Sequence, residues 1–256
     1  MSSWRVPEKG QMTAIDERYF QHIDGEAKAY WLGFLTADGS VRWNKEEGNY
    51  SVCLGLKASD GDHIGKLESA LGSNREPLIE TRKFGISARL TWYSKALVKD
   101  LIDHGVGPRK STTDYELPTI RADIEHHYWR GVFDGDGCLA VQRKSPTLAP
   151  EYRFSLAGRK CILVGFQKWA RRSCSMRPQK IVRAANQNGL TRAHVFYVSG
   201  NRQIEVLLSE LYFGATSFLE RKYRLYHDLI VQNSVVIPSY RRVYILGQEE
   251  GLAWMP

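Results

Sequence analysis

The sequence is poor in cysteine and contains no long apolar run. Its four cysteines, at 53, 138, 161 and 174, show neither Cys-x-x-Cys pairs nor the Cys/His spacing of a structural zinc site. We therefore expect reduced, mostly buried thiols. No segment approaches the roughly 20 apolar residues that span a bilayer, and the N-terminal residues lack the apolar core of a signal peptide. These absences predict an intracellular protein with no membrane attachment.

Acidic residues are outnumbered by basic ones. The 256 residues include 36 Lys and Arg against 28 Asp and Glu, which gives a formal net charge of +8. Such an excess favours a polyanionic partner, because cationic side chains that neutralise phosphates release condensed counterions. The chain is long enough for one large domain or for two small ones.

A ten-residue segment occurs twice. YWLGFLTADG at 30–39 returns as YWRGVFDGDG at 128–137, 98 positions later, counted from Tyr30 to Tyr128. The residues that follow each copy also share one order of patterns. In the first half we predict strands at 39–43, 50–57, 78–83 and 86–93 and helices at 60–71 and 94–104. In the second half we predict strands at 138–143, 153–157, 181–185 and 193–199 and helices at 161–172 and 203–211, with an extra helix at 216–231.

This order predicts an α+β fold in which an αββαββα unit is present twice. The predicted divisions are an N-terminal tail at 1–24, a first half at 25–110, a linker at 111–121, a second half at 122–232 and a C-terminal tail at 233–256. The linker is assigned to 111–121 because this segment contains Pro118 and several polar residues.

Both copies of the segment end an apolar helix with an aspartate and a glycine. The small residues at 33, 37, 131 and 135 would let two such helices approach closely, and Gly39 and Gly137 would suit a left-handed helix-ending turn. Packing the helices side by side would bring Asp38 and Asp136 together, next to free backbone carbonyls. Such hard oxygen ligands suit Mg²⁺. One Asp-Gly pair is a routine turn, but two in equivalent places indicate a site.

WLGFLTADG and WRGVFDGDG resemble two copies of the LAGLIDADG motif, and the αββαββα order resembles the fold of the LAGLIDADG homing endonucleases over residues 25–232. The resemblance implies a monomer with two pseudo-symmetric halves, whose antiparallel four-stranded sheets form a saddle and whose motif helices pack at the interface. It also implies that Asp38, Asp136 and the carbonyls of Ala37 and Gly135 bind catalytic Mg²⁺, in a site that Mn²⁺ or Ca²⁺ can also occupy. Thr36 departs from the motif, which often has an acid there, but that position is not a metal ligand.

The resemblance further implies a basic residue in each half beside the cleavage pocket. The segments LIDHGVGPRKS and FLERKY nominate Lys110 and Lys222, which could stabilise charge on the scissile phosphate or tune the attacking water. Arg109 and Arg221 stand next to them and could take the same role. Lys57 and Arg159, at the ends of equivalent second strands, are a weaker pair of candidates for the basic residues beside the cleavage pocket.

The family's sheets bind double-stranded DNA in its major groove, where Arg, Lys, Asn and Gln side chains can read base edges. The related but different halves imply a long, asymmetric target. The candidate DNA-binding residues are Arg42, Asn44, Lys45, Lys57, Arg82, Lys83, Arg89, Gln142, Arg143, Lys144, Arg153, Arg159, Lys180, Arg183, Asn186 and Arg192.

The function that the resemblance implies is intron homing by a site-specific endonuclease, which makes double-strand breaks through metal-dependent phosphodiester hydrolysis. Two alternatives with the same fold stay open: an intron RNA-splicing maturase and a DNA-binding regulator without catalysis. The presence of both motif aspartates and both lysines favours cleavage.

Overall fold

The computed structural model describes residues 15–46, 48–82, 85–110, 113, 115–144, 149–186 and 189–236. The candidate Lys83 lies outside the described residues. For Arg82, Asn186 and Arg192 the backbone alone is described.

The first half begins with a helix and ends with one. Its elements are α1 (Glu26–Ala37), β1 (Ser40–Asn44), β2 (Asn49–Lys57), α2 (Gly61–Ala70), β3 (Leu78–Arg82), β4 (Gly85–Tyr93) and α3 (Lys95–Asp103). The Ser94 hydroxyl accepts a hydrogen bond from the Leu97 amide at 3.1 Å, which caps the start of α3.

The second half has the same order and one additional helix. Its elements are α4 (Glu125–Asp136), β5 (Gly137–Gln142), β6 (Glu151–Gly158), α5 (Lys160–Ser173), β7 (Ile181–Asn186), β8 (Gly189–Ser199), α6 (Asn201–Tyr212) and α7 (Glu220–Val236). The predicted α+β fold with two αββαββα units is confirmed.

Each half contains one antiparallel four-stranded sheet. The strand orders are β1-β2-β4-β3 and β5-β6-β8-β7, so the two sheets have identical topology. Alternate residues such as Val52, Leu54, Phe154 and Leu156 are buried beneath the helices. The opposite face of each sheet carries polar and exposed residues and is called the open face below.

The extra helix α7 begins four residues later than predicted. The amides of Thr216 and Ser217 donate hydrogen bonds to the Glu26 carboxylate at 2.9 and 3.0 Å, so residues 216 and 217 are held against the first half instead of starting the helix. The 3.6-residue periodicity of a helix could not reveal this contact, because Glu26 is 190 residues away from Thr216 in the sequence.

The four thiols are free, but the expectation that they are mostly buried is wrong. Cys138 is exposed, and Cys53, Cys161 and Cys174 are half-buried. Strand alternation places Cys53 and Cys138 on the open faces of the two sheets. No described helix is both long enough and apolar enough to cross a membrane.

Candidate active site

The two motif helices, α1 and α4, touch through their backbones. A Cβ atom added at Gly33 would lie 1.9 Å from the Tyr128 carbonyl oxygen, and one at Gly131 would lie 2.0 Å from the Tyr30 carbonyl oxygen. Near the C-terminal ends, a Cβ at Gly135 would lie 2.3 Å from the Ala37 Cβ. These distances are far below van der Waals contact, so the approach requires glycine at 33, 131 and 135.

Gly39 and Gly137 are required for a different reason from the one predicted. Neither has a positive φ; Gly137 is extended, with φ −85° and ψ 159°. The prediction of left-handed turns is therefore wrong. The chain instead folds tightly over the last helical turn as it enters β1 or β5. A Cβ at Gly39 would lie 2.6 Å from the Leu35 carbonyl oxygen, and one at Gly137 would lie 2.4 Å from that of Phe133.

This packing places Asp38 and Asp136 at the paired C-terminal ends. Asp38 directly follows α1, and Asp136 is the last residue of α4. The Asp38 carboxylate approaches the other half closely enough that a Cβ at Gly135 would lie 3.4 Å from its Oδ2. Both aspartates retain exposed surface. Within the described part of the chain, neither carboxylate accepts a hydrogen bond.

The surroundings of the two carboxylates disfavour their negative charge. Desolvation by the surrounding protein is the main cause that raises the pKa of Asp136 to about 6, and the charge of Asp38 adds to it. Desolvation also raises the pKa of Asp38, while Lys110 and Lys222 oppose the rise. Two adjacent carboxylates that lack hydrogen-bond donors form a site in which a cation would be favourable.

Lys110 caps the end of α1. Its Nζ donates hydrogen bonds to the carbonyl oxygens of Leu35 at 2.9 Å, Thr36 at 2.8 Å and Ala37. These carbonyls belong to the last turn of the helix, where backbone donors are scarce; the Leu35 carbonyl also accepts a hydrogen bond from the Gly39 amide at 3.0 Å. Burial lowers the pKa of Lys110 to about 8, against the opposing charges of Asp136 and Asp38.

Lys222 occupies the equivalent place at the end of α4. Its Nζ donates to the carbonyl oxygens of Phe133 at 2.6 Å, Asp134 at 2.8 Å and Gly137 at 2.5 Å. Its exposed fraction is 1%, and burial lowers its pKa to about 8. The structure thus places both predicted lysines at the helix ends that carry the aspartates. Arg221, the alternative to Lys222, forms an ion pair with Asp60 at 3.0 Å.

The candidate metal ligands are two carboxylates and backbone carbonyls. Among the described residues, no group of three or more His, Cys, Asp or Glu side chains could hold a metal ion. The Ala37 carbonyl already accepts a hydrogen bond from Lys110, although a carbonyl oxygen has a second lone pair. The donor set fits a hard cation that keeps several water or phosphate ligands, which is the preference of Mg²⁺.

A cleft of about 290 Å³ opens beside Asp136, between the two halves. Its walls include Thr36, Ala37 and Lys110 from the first half and Val132 and Arg159 from the second. Arg159, a weaker candidate from the sequence, thus lies next to the candidate site, where it donates a hydrogen bond to the Thr113 carbonyl at 2.5 Å. Lys57, its counterpart, is exposed at the end of β2.

Sequence reasoning missed a buried aspartate behind the site. Asp134 accepts hydrogen bonds from the Tyr30 hydroxyl at 2.9 Å, the Tyr212 hydroxyl at 3.0 Å and the Leu219 amide at 2.8 Å. It thereby connects α1, α4, α6 and the segment that precedes α7. The available signal was the motif itself, because Asp134 stands where the first copy has Thr36.

An ion pair that joins the halves was also missed. The Arg130 guanidinium is fully buried and donates to the Glu26 carboxylate at 2.5 Å and to the carbonyl oxygens of Ser217 and Leu211 at 2.9 and 3.0 Å. Because Glu26 also holds residues 216 and 217, this cluster fixes α1, α4 and the chain before α7 to one another.

The candidate DNA-binding residues divide by location. Arg42 and Arg153 lie exposed on the open faces of β1 and β6, while Arg89 of β4 is half-buried and paired with Glu80 at 2.9 Å.

Arg183 pairs in register with His194, on the side of Phe196, which faces the helices. Arg183 is exposed but lies on the helix-facing side of the sheet, not on the open face with Arg153. The exposed candidates near strand ends or turns are Lys45, Lys57, Gln142, Arg143, Lys144 and Lys180, whereas Asn44 is half-buried.

The open faces also carry residues that sequence reasoning did not nominate. Tyr93 and Tyr197 are 47% and 54% exposed there, beside Thr91, Ser155, Val182 and Val195. Counting every second residue from Arg42 or Arg153 across the sheets would have found them.

Comparison with solved structures identifies the fold. LAGLIDADG homing endonuclease I-GzeII in complex with its DNA target matches with a TM-score of 0.54 and 11% identity, over 84% of this chain and 93% of that chain. LAGLIDADG meganuclease I-CpaMI bound to uncleaved DNA matches at 0.53 and 13%, over 86% and 97%. I-SmaMI bound to uncleaved DNA in the presence of calcium ions matches at 0.52 and 14%, over 81% and 92%.

The chain has the LAGLIDADG homing endonuclease fold. No family model and no curated protein matches the sequence. In the LAGLIDADG fold of this chain, α1 and α4 are the motif helices at the interface of the two halves, and Asp38 and Asp136 are the aspartates at their ends.

Proposed function

We propose that the chain is a site-specific DNA endonuclease. It would hydrolyse one phosphodiester in each strand of a long asymmetric duplex, with divalent cations held by Asp38 and Asp136. The observation that carries the proposal is the pair of aspartates at two touching helix ends, each with a lysine bound to the carbonyls of the same turn. The matching solved structures are DNA-bound, which supports a duplex as the substrate.

The residues that would hold the cation are Asp38 and Asp136, with the carbonyls of Ala37 and Gly135. The raised pKa of both aspartates supports this assignment, since a cation between them would offset the repulsion and desolvation that cause the shift. A bound divalent cation, with Mg²⁺ as the expected ion, supplies charge neutralisation at the phosphate and acidifies a bound water.

The lysines would act next to the phosphates. All three N–H donors of each ammonium group are occupied by helix carbonyls. A lysine that binds a phosphate oxygen must therefore release one carbonyl. With a pKa of about 8, each ammonium can also exchange a proton near neutral pH with an attacking water or a leaving 3′ oxygen. Binding and proton transfer are thus available from the same atom.

The duplex would lie across the open faces. The net charge of +8 favours binding to phosphates, and Arg42 of β1 and Arg153 of β6 are exposed on the open faces of the two sheets. Since the two faces differ in sequence, the two half-sites would differ as well. This accounts for the asymmetric target.

A cleavage selection tests the proposal. A plasmid library with a long randomised insert is incubated with the protein and Mg²⁺, and linearised plasmids are recovered and sequenced. We expect linear products that share one long asymmetric sequence and that disappear with EDTA. Recovery of no linear plasmid above the EDTA control with both Mg²⁺ and Mn²⁺ would contradict an endonuclease. Selective binding of structured RNA in the same preparation would then favour the maturase alternative.

A further inference from the structure

The open faces of the two sheets have the same geometry but different chemistry. In the first sheet, Gly55, Arg89 and Leu78 lie side by side across β2, β4 and β3. Ala157, Val195 and Val182 form the matching row across β6, β8 and β7, and this row is called the valine row below. Where the first sheet has an arginine, the second therefore has only aliphatic side chains.

The neighbouring rows extend the difference. The next row away from the aspartates along the strands is Ser40, Cys53 and Thr91 in the first sheet, against Cys138, Ser155 and Tyr197 in the second. The row after that is Arg42, Ser51 and Tyr93, against Ala140, Arg153 and Ser199. Arg153 is the one charged side chain in these three rows of the second sheet, whereas the first sheet has Arg42 and Arg89.

The valine row is accessible enough to meet a ligand. Ala157, Val182 and Val195 are half-buried, and neighbouring Tyr197 is 54% exposed. The side chains of Ala157, Val182 and Val195 carry no hydrogen-bonding group. In the major groove, thymine alone presents a methyl group, while the edges of guanine and cytosine present polar atoms that an apolar contact would leave unpaired.

From this arrangement we infer that the valine row reads the 5-methyl groups of thymine, so that the half-site facing the second sheet contains an A·T stretch. The inference rests on the proposed DNA-binding function. Duplex DNA is the expected ligand of the valine row because the row is continuous with Arg153 and with the strand that leaves Asp136.

The test begins with a binding selection. Duplexes from a random library are selected with Ca²⁺ present, for the wild type, for Val195→Arg and for the reciprocal variant Arg89→Val. Both positions lie on open faces at matched rows, so neither change removes core packing. We expect Val195→Arg to replace a thymine preference by guanine at one or two positions of one half-site. Arg89→Val should change the other half-site only.

Uracil in place of thymine then isolates the methyl group. At the positions identified by Val195→Arg, each replacement should weaken wild-type binding about fourfold, as expected for one buried methyl-sized group. The same replacement in the other half-site is the matched control and should have a smaller effect. Unchanged affinity, or a wild-type preference for G or C at those positions, would overturn the inference while leaving DNA binding intact. A selection that enriches no sequence would overturn the DNA-binding function and this inference with it.

Discussion

At the scale of single residues, each lysine of the site binds three backbone carbonyls at the end of its motif helix, but the two lysines have different electrostatic surroundings. Asp136 and Asp38 are the charges that most raise the pKa of Lys110, whereas buried Asp134 is the charge that most raises the pKa of Lys222. The asymmetry follows from the motif, because Thr36 occupies the place of Asp134 in the first half. The surroundings of the two lysines are therefore chemically different.

Replacing either lysine should uncouple the cleavage of the two strands. Lys110→Met and Lys222→Met would each remove the ammonium group that we propose lies beside one scissile phosphate, so we expect cutting of that strand to slow by about 100-fold or more. Supercoiled target plasmid should then accumulate as nicked circles. Lys99→Met, at an exposed surface pair with Asp103, is the control. Linear product formed at the wild-type rate by both variants would contradict a catalytic role for the lysines.

A buried histidine should make stability depend on pH. Burial lowers the pKa of His63 to about 3, and within the described residues its Nδ1 has no hydrogen-bond partner. The unfolded state, with a histidine pKa near 6.5, therefore binds more protons between these values. The free energy of unfolding should fall as pH decreases below about 6.5, by up to about 1.4 kcal/mol per pH unit from this residue.

Urea unfolding across that pH range measures the effect. His63→Gln should reduce the slope and leave the contribution of His127, whose pKa burial also lowers to about 3, while His22→Gln, at an exposed position, should leave the slope unchanged. Equal slopes for the wild type and His63→Gln would mean that His63 is protonated in the folded protein.

At the scale of elements, the contact between α1 and α4 depends on the absence of a side chain at Gly33 and at Gly131. The Cβ distances at Gly33 and Gly131 are 1.9 and 2.0 Å to carbonyl oxygens of the opposite helix, which cannot move without shifting that helix. The position of each aspartate relative to the other depends on this approach. Packing of the helices is therefore inseparable from the geometry of the site.

Alanine at these positions should both destabilise and inactivate the protein. We expect Gly33→Ala or Gly131→Ala to lower the free energy of unfolding by about 1–3 kcal/mol, as for other overpacked interfaces. The cleavage rate should fall by more than the loss of folded protein explains, because the larger side chain would separate the helix ends that carry the two aspartates. Gly65→Ala is the matched control: it lies in α2 with open space around its Cβ position, and it should stabilise by about 0.5–1 kcal/mol. Equal effects at 33 and 65 would contradict the close contact.

The elements themselves were largely predictable from the sequence. Alternating residues such as Val52 and Leu54 predicted strands, and the repeat predicted that both halves share one topology. The errors arose where a distant residue decides the local structure. The Glu26 carboxylate delays the start of α7, and the buried partners of Arg130 and Asp134 come from segments about 80 to 100 residues away.

At the scale of the whole molecule, the two halves form one site because their interface is built from polar as well as apolar contacts. Glu26–Arg130 joins the beginning of α1 to the middle of α4, and Arg221–Asp60 joins the halves near Asp38. The repeat predicted that Asp38 and Asp136 are equivalent and adjacent. It could not predict the differences between the open faces, because these depend on strand register and on apolar residues that carry no functional signature.

The central claim is that Asp38 and Asp136 together hold the catalytic cation over a duplex. The most direct measurement is single-turnover cleavage of the selected target by the wild type, Asp38→Asn and Asp136→Asn, with the Kd for the same DNA measured in parallel. We predict that each variant loses cleavage of both strands under Mg²⁺ and Mn²⁺ while its Kd stays within about tenfold of the wild-type value. Wild-type cleavage rates in either variant would contradict the claim.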